Sequence, residues 1–131
     1  MLALSIRQPY AELILRGVKT IEYRTVRTLK IGERFYIYVP KKVADAGTSR
    51  ARQEAGTHPA NTLIPLPHGR GSLEALPIGV IVGSAVISKC IRGEMYYEWH
   101  LKDVKRYKRP RKLPRGVQPQ PVWFQPFKTA A

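Results

Sequence analysis

Between residues 3 and 124 the apolar residues of this chain come in short runs, each cut off by glycine, proline or charge before it reaches the length of a core helix. Runs of that kind suit the strands of a small sheet better than the helices of a bundle. Residues 34–39 (Arg-Phe-Tyr-Ile-Tyr-Val) are the clearest strand, aromatic, β-branched and closed by Pro40. Residues 3–6 read as a short first strand, and residues 79–91 as one apolar enough to be buried on both faces. Residues 96–101 alternate, with Tyr97, Trp99 and Leu101 against Glu98, His100 and Lys102, and residues 122–124 form a last strand.

One helix stands out. Pro9 suits a first helical position, Ala11, Ile14 and Leu15 lie on or near an apolar face, and Gly17 ends the helix after about Arg16. Residues 19–24 then return to strand, with Ile21 and Tyr23 on one side and Thr20, Glu22 and Arg24 on the other. Residues 30–33 are a turn, residues 114–121 a proline-rich turn region, and Phe127 an anchor for the tail. Residues 41–53 are polar and predict a short helix, and residues 56–77 are dense in Pro, Gly, Ser, Thr and Asn. The expectation is a single domain over residues 1–131 with a mobile insertion at 41–77. Its class is α+β: a small β-barrel with short helices at the rim and a long surface loop. A length of 131 residues suits one such core.

Charge narrows the partners. The chain has 23 Lys and Arg against 9 Asp and Glu, a formal net charge of +14. Self-repulsion on that scale favours contact with a polyanion, and counterion release from phosphates supplies the driving force. An anionic membrane surface, an acidic protein and a charge kept only for solubility are the rival explanations. Nucleic acid, RNA or DNA, is the expected partner of such a surface. Residues 102–115 hold eight Lys or Arg and one acid, Asp103. Lys105, Arg106, Lys108 and Arg109 in this run are expected to hold phosphates without reading sequence.

Other chemistries find little support. Cys90 is the single cysteine, so no intrachain disulfide can form, and a reducing cytoplasm fits. The amino terminus lacks the basic start and apolar core of a signal peptide, and no apolar run is long enough to cross a membrane. His58 and His68 belong to no metal-ligand spacing, and Gly69-Arg70-Gly71 lacks the Lys-Ser/Thr of a phosphate loop. No metal and no cofactor is expected.

Three segments resemble the ASCH domain of the PUA-like superfamily. The first is Leu4-Ser5-Ile6-Arg7-Gln8-Pro9-Tyr10-Ala11. The second, Gly17-Val18-Lys19-Thr20-Ile21-Glu22-Tyr23-Arg24, fits the family signature Gly-x-Lys-x-x-Glu-x-Arg. The third is Trp99-His100-Leu101 followed by Pro119-Gln120-Pro121-Val122-Trp123-Phe124. The resemblance implies a barrel of five to six strands with a cleft beside the signature. It also implies work on RNA, because PUA-like domains bind RNA or read modified bases. Lys19, Glu22 and Arg24 are the signature residues carried over to that cleft.

The residues themselves support a site there. Glu22 and Arg24 share a strand face, and a carboxylate that orients an arginine presents its remaining donors to phosphate. Strict alternation sends Lys19 to the opposite face, whereas the turn after Gly17 can swing it back; the sequence leaves both open. Ser5, Arg7, Gln8 and Tyr10 form the adjoining turn. Tyr38 lies opposite Phe35, Ile37 and Val39 and is expected on an open face, where its ring can stack on a base. Trp99 is a stacking candidate or a core residue. The alternative to a binding module is an enzyme on RNA. A ribonuclease would use Glu22 or His100 as base, with Lys19 and Arg24 stabilising charge. In ASCH-like amidohydrolases of acetylated cytidine a Thr nucleophile stands two residues before the signature Arg; here that place holds Glu22.

Overall fold

The computed structural model describes residues 1–42 and 76–127. The expected insertion at 41–77 falls almost wholly outside the described residues. Its 41–53 helix does so from residue 43 on. The described chain forms β1 (Ala3–Ser5), α1 (Tyr10–Leu15), β2 (Ile21–Arg24), β3 (Arg34–Val39), β4 (Val80–Arg92), β5 (Tyr97–Lys112) and β6 (Trp123–Phe124). They make one curled, six-stranded half-barrel in the order β2-β5-β4-β3-β1-β6, with a single short helix among the described residues. All pairings are antiparallel except β1 on β3, whose register sets Leu4 against Ile37.

Alternation along β1 and β3 fills two cores. Leu4, Phe35, Ile37 and Val39 join α1, Ile87, Trp99 and Leu101 in the larger one. Ala3 and Tyr38 join Ile81 and Phe124 in a smaller one on the opposite side, edged by Tyr36, Tyr107 and Phe127. Tyr38, expected on an open face, is therefore packed against Phe124 and mostly buried. Trp99 is fully buried, stacked on Trp123 with centroids 5.8 Å apart, and its indole N–H donates to the Val26 carbonyl.

The basic run differs most from its sequence reading. Instead of ending near residue 101, the strand continues as β5 to Lys112 and pairs with β4 at both of its ends, with interruptions between. Backbone ladder bonds do not depend on apolar side chains, so a lysine-rich segment can extend a sheet. The ladder slips between Ile81 and Gly83, which face Arg111 and Arg106, so Tyr107, Lys108, Arg109 and Pro110 bulge from the strand. Asp103, at φ 50°, lies in a second irregularity. Bulges of this kind bend and twist a sheet.

Candidate nucleic-acid interface

The segment from β1 to β2 builds the site. Gly17 leaves α1 at φ 76°, a conformation glycine adopts without steric cost, and the chain turns into the signature strand. On β2, Glu22 is completely buried. Its Oε2 accepts from Arg24 Nε at 2.8 Å and pairs with Arg24 Nη2 at 2.7 Å. Arg24 Nη2 also donates to the Ser5 carbonyl at 2.6 Å, joining β2 to β1. Lys19 lies just before the strand, and its stem swings back. Its Nζ comes within 3.5 Å of Glu22 Oε1, donates to the Ile21 carbonyl and sits 5.0 Å from the Tyr23 ring centroid and 5.4 Å from that of Tyr10. The turn after Gly17 thus overrides alternation, and the Lys19 side chain is only 1% exposed.

Arg24 is the member of this trio that reaches a hollow. A cleft of about 430 Å³ is lined by Ser5, Arg7, Arg24 and Lys42 together with Pro40, Pro119, Gln120 and Pro121. Three of those residues are cations and none is acidic. Ser5 Oγ donates to the Gln120 carbonyl, tying the proline segment to β1. A guanidinium fixed by a carboxylate and a carbonyl, beside Arg7 and Lys42, is suited to a phosphate or another compact anion.

The other sequence-derived candidates fall in different places. Gln8 is buried; its Oε1 accepts from the Glu12 amide and its Nε2 donates to the Pro77 carbonyl, both at 3.0 Å. Tyr10 packs in the larger core beside Lys19. Tyr38 is 4% exposed, edge-on to Phe124, and burial pushes its hydroxyl pKa up; what remains of its surface lines a hollow next to the cleft. Trp99 belongs to the core. His100 sits across β2 and β5 from Ile21 with Nε2 3.2 Å from Glu98 Oε1, and it does not line the cleft. Lys19 and Glu22 stand behind Arg24 and do not line it either. Among the described residues, no cluster of metal-ligating side chains occurs.

Arg106 departs from the phosphate track expected of it. Its fork closes on Glu12 of α1, Nη1 to Oε1 at 3.0 Å and Nη2 to Oε2 at 2.8 Å. Arg16 Nε adds a bond to the same Oε2 at 2.6 Å. Burial alone would raise the Glu12 pKa, but the hydrogen bonds from Arg106 and Arg16 outweigh it and hold the carboxyl below its usual range. The same pairing raises the Arg106 pKa against the opposing effect of burial. Lys105, Lys108 and Arg109 are exposed along β5.

The sequence does not single out Lys42, and it marks the proline wall only as part of the third family-like segment, not as a lining of the cleft. Lys42 is one cation in a polar stretch, and residues 119–121 have the composition of a turn, with no chemistry of their own to mark them. A family model described as the ASCH domain matches residues 4–122. No curated protein matches the chain.

Proposed function

The chain belongs to the ASCH domain family of the PUA-like superfamily, and from that premise we propose that it is an RNA-binding domain, holding a nucleotide of single-stranded RNA in the cleft beside the Gly-x-Lys-x-x-Glu-x-Arg segment. ASCH domains are generally associated with RNA binding. The observation that carries the finer reading is the position of Arg24: anchored by Glu22 and Ser5, it lines a cleft with Arg7, Lys42 and no acidic side chain. Phosphate binds there, and Lys105, Lys108 and Arg109 hold flanking backbone. Residues 1–131 act as one domain in this reading. No helix among the described residues is long and apolar enough to cross a membrane. A binding module is favoured over a ribonuclease because His100 and Glu22, the two candidate bases, do not line the cleft.

The test is equilibrium binding of labelled single-stranded RNA across a salt series. Affinity is expected to fall steeply and linearly on logarithmic axes, and Arg24→Ala to abolish most of it while the fold survives. A flat salt response, or an Arg24→Ala variant that is folded and binds normally, refutes the reading.

A further inference from the structure

A second hollow adjoins the first. It measures about 630 Å³ and shares Pro40 and Pro119 with the cleft around Arg24, so the two meet along a proline wall. Its character is different. Ile78, Leu113 and Val117 give it an apolar lining, and its charged residues are two lysines, Lys41 and Lys112. Both lysines are exposed. The Pro114–Val117 turn that shapes one side is closed by the Val117 amide on the Pro114 carbonyl at 3.2 Å, with Gly116 at φ 87° as its third residue. The prolines carry no amide hydrogen, so they offer flat apolar faces and leave donation to lysine and arginine.

We propose that this groove takes the neighbouring nucleotide of the same strand, so that the ligand is two consecutive nucleotides. The base lies on the apolar lining and Lys41 and Lys112 meet its phosphate. This rests on the reading of the first cleft given above. The chemistry divides between the hollows: the first is cationic and polar and holds phosphate, and the second, lined by Tyr38 as well as the aliphatic side chains, sets an apolar bed for a base beside two cations, a mostly aliphatic counterpart of the stacking platforms and charged grooves of single-strand binders. Neither hollow has an acidic lining residue, so the track across the wall is uniformly attractive to phosphate.

The experiment uses the full chain and 5′-phosphorylated diribonucleotides of each of the four bases, with the matching nucleoside 5′-monophosphates, followed by heteronuclear NMR titration. Three proteins are compared: the native chain, Arg7→Ala, and the double variant Lys41→Ala/Lys112→Ala. The best dinucleotide is expected to bind the native chain about tenfold more tightly than its monophosphate. The double variant is expected to lose that gain and keep the affinity for the monophosphate, whereas Arg7→Ala weakens both ligands. Loss in Arg7→Ala alone, with the double variant unaffected, overturns the second groove and leaves the first cleft standing. Loss in the double variant alone overturns the first cleft. No binding of either ligand by the native chain overturns both.

Discussion

Replacing Glu22 by glutamine removes one negative charge and almost no volume, and the structure sets the size of the consequence. Glu22 is wholly buried between Lys19, 1% exposed, and Arg24, 11% exposed, at 3.5 and 2.7 Å. Removing one member of a buried ionic cluster costs about 3–5 kcal/mol, because the partners keep their desolvation penalty and lose their counter-charge. The amide oxygen of the substituted side chain can still accept from Arg24, which favours the lower end, about 3 kcal/mol. Domains of this size have about 5–15 kcal/mol in hand, so the variant should fold but unfold roughly 10 °C lower. Thermal unfolding by circular dichroism measures this, with Glu98→Gln as control. Glu98 pairs with His100 at a half-exposed position, and its loss should cost less than about 1 kcal/mol. The Glu22→Gln variant should also bind RNA more weakly, since Arg24 loses its orienting carboxylate. A melting temperature within about 3 °C of the native value would refute the idea that the signature is a buried ionic cluster.

Four further outcomes follow. Trp99→Ala should cost about 3–5 kcal/mol of stability, read by chemical denaturation, because it empties the stack with Trp123. Arg106→Ala should destabilise the domain by about 1–2 kcal/mol, discounted for its partial exposure, and leave the salt dependence of RNA binding unchanged. Lys108→Ala should instead lower the salt slope by about one with no loss of stability. Glu12 contributes stability that is complete above its unfolded pKa, about 4.5, and is lost as pH falls through its depressed folded value. In that window the unfolded chain binds more protons, so native stability should fall with pH below about 4.5, and Glu12→Gln should flatten the fall in an acid-unfolding series.

Local signals in the sequence locate most elements, and long-range ones do not show there. The Phe-Tyr-Ile-Tyr-Val run identifies β3, Gly17 marks the end of α1, and the two-residue spacing of Glu22 and Arg24 places them together on β2. Alternation also separates Tyr38 from Phe35 and Ile37, but it says which side a residue takes and nothing of what covers that side. The cover comes from Phe124, 86 positions away in the chain (124 − 38 = 86). The Glu12–Arg106 clamp spans 94 positions, and neither residue has a neighbour in sequence that announces it. The side chains of the basic run suggest a solvated track, whereas its strand is held by backbone bonds to β4. Lys19 resists a reading from period two because the turn before it sets its direction.

The bond from Arg24 to the Ser5 carbonyl has a mechanical side. β2 is one outer strand of the sheet and β1 lies next to the other, so the two ends of the curl are fastened there by a side chain in place of a ladder. The guanidinium that faces an incoming anion is thus also a latch across the seam. Occupying the cleft should tighten that latch, and amide exchange in the first and second strands should slow together when RNA is added.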